Sequence, residues 1–366
     1  MTTKKDGEAS LGDIRKIIDA IDLEIHSLLN KRAEAALKVA DIKLREAAGA
    51  AVDFYRPERE AQILNEVASR NEGPMSDRAV QRIFREIISA SLALEEPMRV
   101  AYLGPEGTYC QTAAERHFGH AVITQAEAGI GEIFSAVENE RARFGVVPVE
   151  NSTEGAINQT LDLLTTTSLR ICGELSLRIQ HRLLSRQANL ADVKAVHAHP
   201  QSLAQCRHWL DANLPGIPRI SESSNAAAAH LAVDDNRIAA IAGEAAASHY
   251  DLTTLMSGIE DVKNNTTRFY VIGNQQIPPS GKDSTSLLVS APHQPGGLLK
   301  LLEPLETAGI SMTRIESRPD KSAMWEYVFF IDVDGHEEDD SLKTVLQEIR
   351  EIAPRLRVLG SYPRAL

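Results

Sequence analysis

Cysteine is scarce in this chain. Cys110, Cys172 and Cys206 are the three among 366 residues, and no two stand in a CxxC spacing. That leaves no disulfide framework to read and fits a reducing compartment with thiols that are packed or idle. Basic charge is also in deficit: 39 Lys+Arg against 51 Asp+Glu give a net charge of -12. No basic cluster with interleaved aromatics occurs, so a nucleic-acid surface is not expected. Long apolar runs are missing too. None approaches the ~18 residues that span a bilayer, and Met1 to Ser10 is polar where a signal peptide would be apolar. The expected location is the cytoplasm, without a membrane partner. Phosphate-cradling patterns are incomplete. Gly129-Ile-Gly131 lacks the third glycine of GxGxxG, and no GxxxxGK is present. His197 and His199 alternate on a strand without a third ligand at sensible spacing. No metal or other cofactor is expected.

What is present is a soluble globular composition, 43% hydrophobic and 25% charged, in a chain too long for one ordinary core. Leu11 to about Leu44 reads as one long helix, with Ile14, Ile17, Ile18, Ile21, Ile25, Leu28 and Leu29 at three- and four-residue steps. A second helix starts at Pro57 and is closed by Gly73-Pro74; a third runs from about Ser76 to Leu94. A helix of ~34 residues is about 50 Å long. Two shorter partners cannot cover it, so a second copy is expected, making an intertwined all-helical dimer.

After Pro97 strands and helices alternate. Arg99 to Leu103, Phe144 to Val149, Ala195 to Ala198 and Ile238 to Ala242 read as strands, which predicts an α/β architecture of two lobes with a cleft between them. Ile277 to Asp283 has the Pro and Gly content of a linker. Beyond it the order is βαββαβ, with strands at Ser284 to Pro292, Ile310 to Ser317, Trp325 to Val333 and around Val358, the ferredoxin-like pattern. The expected boundaries are 1–97 all-helical, 98–276 two-lobed α/β, and 277–366 linker plus α+β domain.

In the helical part Arg15, Arg32 and Lys43 lie on the long helix, Arg59-Glu60 opens the second, and Ser91 and Glu95 share a face of the third. Such charges suit a solvated helix surface or a polar pocket for a dicarboxylate. Leu-x-x-Ile-Arg, Leu-Leu-Asn-Lys-Arg, Lys43 and Arg59-Glu60 together resemble the all-helical class of chorismate mutase, over about residues 11–95. The resemblance implies that Arg32 and Arg59 bind substrate carboxylates and that Arg15 reaches in from the partner protomer. It also implies that Lys43 bonds the ether oxygen and Glu60 the substrate hydroxyl. A common family form has Gln where Glu95 stands. An ionised carboxylate cannot donate, so Glu95 must be protonated to serve, and mutase activity is expected to fall as pH rises through neutrality. The family's loop aspartate has no clear counterpart; Asp53 is the candidate.

The run Asn264-Asn265-Thr266-Thr267-Arg268-Phe269 packs amides, hydroxyls, a guanidinium and a ring at a strand entrance, a natural grip for a small anion. With Leu103-Gly-Pro-Glu-Gly-Thr108, Val147-Pro-Val-Glu-Asn-Ser152, Gly155-Ala-Ile-Asn158 and His199-Pro-Gln201 it resembles prephenate dehydratase over about 98–276. The family fold is two lobes like those of periplasmic binding proteins. The resemblance implies Thr267 as hydrogen-bond donor to the departing hydroxyl, Arg268 as carboxylate clamp and Phe269 against the ring. Asn151, Thr153, Gln201, Thr108, Ser224 and Thr266 are the orienting or binding groups.

Pro295-Gly296-Gly297-Leu298 before a helix and Glu316-Ser317-Arg318-Pro319 at a strand end resemble the phenylalanine-binding ACT domain. Glycine at a helix start lets an amino-acid carboxylate approach backbone N–H groups. The family usually has Gly-Ala-Leu there, and Gly297 replaces the alanine. Such domains pair side by side, which again implies a dimer or higher oligomer. The functional expectation is a bifunctional enzyme, taking chorismate to prephenate and prephenate to phenylpyruvate under phenylalanine feedback. A dehydratase with a helical domain kept only for dimerisation, and an amino-acid sensor, are the alternatives, and arogenate could replace prephenate.

Overall fold

A computed structural model describes residues 10–49, 52–320 and 327–365. Helix α1 (Leu11–Ala47) begins with a capping box in which Ser10 and Asp13 exchange side-chain and backbone bonds. Its 37 residues span about 55 Å. Ala40 alone is buried on it, while Ile14, Ile17, Ile18, Ile21, Ile25, Leu28 and Leu29 stand exposed. Helix α2 (Pro57–Ser69) ends before the Gly73-Pro74 pair, and α3 (Asp77–Glu95) is capped by the Ser76 hydroxyl.

The next section runs β1 (Arg99–Leu103), α4 (Tyr109–Phe118), β2 (Ile123–Glu127), α5 (Ile130–Glu138), β3 (Phe144–Asn151), β4 (Gly155–Ala156), α6 (Asn158–Leu164) and β5 (Arg170–Arg178). It continues through β6 (Arg182–Ser185), β7 (Ala195–Ala198), α7 (Pro200–Gln205), α8 (Arg207–Asn213), β8 (Arg219–Ser221) and α9 (Asn225–Asp234). Then come β9 (Ile238–Ala242), α10 (Glu244–His249), β10 (Thr253–Ser257) and β11 (Thr266–Gly273). One lobe carries the sheet β2-β1-β3-β11-β5, the other β10-β6-β9-β7-β8. The chain crosses between lobes twice, and the crossings bond to each other through Ile179 N–H to Asn265 O and Gly258 N–H to His181 O. The first sheet is mixed: β1 runs parallel to β2 and β3, but the returning β11 is antiparallel to β3 and β5. Strand β3 extends through Glu150 and Asn151, two residues further than the apolar run predicts, because β11 pairs with them.

The last section is β12 (Asp283–Ser290), α11 (Gly297–Thr307), β13 (Met312–Pro319), β14 (Tyr327–Asp334), α12 (Asp340–Ile352) and β15 (Arg355–Pro363). Its antiparallel sheet has the order β13-β14-β12-β15, the ferredoxin-like arrangement expected; Trp325 lies outside the described residues. The sheet packs face-on against the first lobe. Leu288, Val328, Phe330, Leu359 and Tyr362 share one core with Val147, Val149, Tyr270 and Ile272. At Gly360 the approach is backbone to backbone: a Cβ there would lie 2.1 Å from the Ile171 carbonyl oxygen.

The helical section is joined to the same lobe by Tyr55. Its ring is buried with Phe118 and Phe144, centroids 5.2 and 5.4 Å away, and its carbonyl accepts from Gln275 Nε2 at 3.0 Å. The cysteines are unpaired, and burial pushes the Cys110 and Cys172 thiols up to about 12, where they are chemically quiet.

Candidate active sites

The first cleft, about 320 Å³, lies among the three helices and is lined by Arg32, Lys43, Arg59, Glu60, Ser91 and Glu95 together with Arg56 and Phe54. Helix periodicity places Arg32 and Lys43 on one side of α1, three turns apart. Ser91 and Glu95 face them from α3. Arg32 Nη1 donates to Ser91 Oγ at 2.5 Å, and Ser91 donates to Ile87 O at 2.8 Å. Lys43 Nζ rests on the carbonyls of Asp53 and Phe54 at 3.5 and 3.4 Å and over the Phe54 ring. Glu60 is buried and paired with Arg85 at 3.1 Å; burial raises its carboxyl against the pull of that arginine. Burial likewise raises Glu95, with Lys43 and Arg32 opposing. Arg15 is exposed and outside the cleft. It precedes Arg32 by 17 helical positions, about 25 Å along a rigid rod, so it cannot reach this cleft within its own chain. Asp53 is a correction. Its carboxylate pairs with Arg143 at the surface, and Arg56 occupies the loop position beside the pocket.

The second site lies where the lobes meet. Asn151 and Thr267 face each other in register on β3 and β11, and Asn151 Nδ2 donates to Thr267 Oγ1 at 2.9 Å in a buried setting. The Asn151 carbonyl oxygen is held by the Thr153 N–H at 3.0 Å and its hydroxyl at 2.6 Å. From the opposite lobe Gln205 Nε2 reaches Thr153 Oγ1 at 3.3 Å, and Gln205 Oε1 meets Asn265 Nδ2 at 3.3 Å and His181 Nε2 at 2.9 Å. Tyr109 closes the chain, its hydroxyl 3.2 Å from His181 Nδ1. Thr108 and Ser224 cap the N-termini of α4 and α9, accepting from the Gln111 and Ala227 N–H groups. Gln201 is half-buried in the first turn of α7, and Thr266 donates to Asn264 O.

Two expectations on β11 are overturned. Successive strand residues point to opposite faces, so Arg268 turns away from Thr267. Its guanidinium is locked against Glu174 and, at 3.0 Å, against Asp332 of β14, with no free edge for a substrate carboxylate. Phe269 is buried in the core beside Val100, Phe118 and Phe144 and cannot stack on a ligand ring.

In the last section Gly296 adopts the left-handed conformation, φ 76°, just ahead of Gly297 and Leu298 at the start of α11. A Cβ at Gly297 would sit 2.2 Å from Pro292 O, so this loop excludes the alanine usual in ACT domains. Glu316, Ser317, Arg318 and Pro319 end the edge strand β13, at the same sheet end as the Gly296 loop and one strand away from β12. Arg318 spans to α6, with Nη1 donating to Asn158 at 2.6 Å and Nη2 paired with Asp162 at 2.9 Å.

Residues 14–96 match the model of chorismate mutase type II, 100–277 that of prephenate dehydratase, and 285–351 that of the ACT domain. The bifunctional chorismate mutase/prephenate dehydratase of Pseudomonas aeruginosa is 49% identical over 96% of this chain and 97% of its own. That of Neisseria gonorrhoeae is 48% identical over 96% of each. The chain belongs to the bifunctional chorismate mutase/prephenate dehydratase family. It is an enzyme with both activities, an isomerase and a carbon–oxygen lyase. Among solved structures, a prephenate dehydratase from Arthrobacter aurescens in complex with L-Phe superposes with a TM-score of 0.67, 33% identity, and coverage of 73% of this chain and 90% of its own. A quorum-quenching acylase, GqqA, superposes equally well at 31% identity, covering 73% of this chain and 97% of its own.

Several residues in or against the candidate sites escaped sequence reasoning. Gln205 stands four positions after Gln201, and that helical spacing was a usable signal. Asn265 lay within the polar run before β11 without a role of its own, and His181 and Arg85 carried no signal, since their partners are far away in sequence.

Proposed function

We propose that chorismate binds in the helical cleft with its carboxylates on Arg32 and Arg59 and on Arg15 of a second copy. Lys43 and a protonated Glu95 donate to the ether oxygen as its bond to carbon breaks, while Glu60 holds the ring hydroxyl. The catalysis is electrostatic: charges stand ready where the transition state gathers charge, with no covalent step. The exposed apolar side of α1 supports a homodimer, because burying it requires another helix of comparable length.

Prephenate is then dehydrated and decarboxylated between the two lobes. The observation that carries this reading is the direction of the Asn151–Thr267 bond. The amide donates, so the threonine keeps its own proton for the leaving hydroxyl, and accepting a bond strengthens it as a donor. The ring carboxylate leaves as carbon dioxide while its electron pair expels the hydroxyl and aromatises the ring. With Arg268 turned away, the carboxylates are held by Gln201 and by the N-termini that Thr108 and Ser224 cap. Phenylalanine binds the ACT domain between the Gly296–Leu298 turn and Glu316–Pro319, and inhibits the dehydratase. The unpaired cysteines suit a cytoplasmic location. A two-stage assay tests the whole reading: chorismate consumption and phenylpyruvate formation, each with and without phenylalanine. Loss of the first activity alone would make the helical domain a dimerisation device.

A further inference from the structure

The alternation that takes Arg268 out of the cleft has a counterpart on the paired strand. On β3, Asn151 faces the cleft and its neighbour Glu150 faces the ACT sheet; on β11, Thr267 and Arg268 divide in the same way. Both outward residues form ion pairs with the ACT domain. Arg268 meets Asp332 at 3.0 Å, and Glu150 Oε2 accepts from Arg314 Nε at 2.8 Å. The two partners belong to one polar cluster. Asp332 is 1% exposed and also accepts from Tyr270 at 2.9 Å and Ser286 at 2.6 Å, and Ser286 bonds Tyr362. Arg314 lies two residues before Glu316 on β13, the strand that ends in Glu316–Pro319.

Arg314 is bound asymmetrically. Its Nε is satisfied, but Nη1 and Nη2 are buried with no hydrogen-bond partner among the described residues. A guanidinium with two idle buried donors is costly to keep. Arg314 therefore holds the first lobe by its one bond to Glu150, a contact that a small slide of β13 would break.

We propose that Arg314 and Asp332 are positioning residues for the dehydratase. Through Glu150 and Arg268, each the strand neighbour of Asn151 or Thr267, the ACT domain sets the alignment of the Asn151–Thr267 pair. Movement of β13 on occupation of the effector site is relayed as loss of that alignment. This rests on the reading of phenylalanine as effector.

The test uses the full-length enzyme with Arg314→Met, Glu150→Gln, the double variant and Arg314→Lys. Dehydratase kcat and KM, phenylalanine binding by calorimetry, and mutase rate are measured on each. In Arg314→Met, kcat is expected to fall about tenfold with KM within about twofold, as for a misaligned donor. Inhibition at saturating phenylalanine weakens by about tenfold, within the usual range of a coupling between sites, while phenylalanine still binds and the mutase is unaffected. The double variant is no worse than either single one, and lysine restores part of the loss. Wild-type inhibition in Arg314→Met, or additive losses in the double variant, overturns the inference alone. Failure of phenylalanine to inhibit the wild-type enzyme overturns the effector reading and this inference with it.

Discussion

The mutase cleft is lined by formal charges, with Arg32, Lys43, Arg59, Glu60 and Glu95 around a space open beside an uncovered helix. The proposed dehydratase site holds Thr267 among amides, hydroxyls and the His181 imidazole, whose pKa burial lowers, and both of its walls come from one chain. The contrast follows from the chemistry. A pericyclic rearrangement must be held and polarised, which fixed charges do well at long reach. An elimination that ends in an aromatic ring needs a positioned donor and dry surroundings, which short neutral bonds provide. On the reading proposed above, the first site needs a second copy to supply Arg15, while the second draws both of its walls from one chain.

The sharpest break between them is Thr267→Ala. It should lower dehydratase kcat by about 10²- to 10⁴-fold, with modest change in KM and an unaltered mutase rate. A near-normal kcat removes Thr267 from the proposed role. Next is subunit sharing. Arg15→Ala and Lys43→Ala should each cut mutase activity by about 10²- to 10³-fold and spare the dehydratase. Mixing the two dissociated variants should restore activity, because one pairing of chains rebuilds an intact cleft; no recovery on mixing would mean that Arg15 does not cross between copies.

A third prediction sharpens the electrostatic side. Burial raises the Glu95 carboxyl, and the protonated form is the donor, so mutase kcat should decline as pH rises through that raised value, by about tenfold per unit beyond it. In Glu95→Gln the profile flattens. A wild-type profile level from pH 5 to 8 refutes the role.

The smallest effect concerns the seam between the two halves. His117, buried against the Tyr55 hydroxyl, is pushed down to about 3 by burial and by Arg85. Its unfolded form takes up a proton first, so this contribution to stability is complete above about pH 6.5 and fades as pH falls below it. The loss is about 2 kcal/mol at pH 5. Thermal melts at pH 7 and 5 should differ less for His117→Gln than for the wild type.

Much of this was legible in the chain. The long apolar spacing of α1 gave its length and the apolar side that stands exposed in the single chain. The βαββαβ order gave the last domain, and Arg32, Lys43, Glu60 and Glu95 do converge. The expectation for Arg268 placed the whole run Asn264 to Phe269 at a strand entrance, with its side chains gathered on one anion. Read as the strand Thr266–Gly273, its two-residue alternation already forbids Thr267 and Arg268 from sharing a face. Other features had no local signal. Nothing near Tyr55 announces Phe118, Phe144 and Gln275 as its neighbours, nor does Gly360 advertise its contact with Ile171. Such contacts arise only when distant segments are packed.

The Tyr55 ring also changes what kind of joint connects the two enzymes. A tether could be cut or lengthened at will, leaving two free-standing catalysts. Here the mutase lends an aromatic plug to the dehydratase interior and takes back a fixed anchor for the loop under Lys43. Excising the first 97 residues would leave an unfilled hollow beside Phe118 and Phe144, and grafting them elsewhere would require a matching socket.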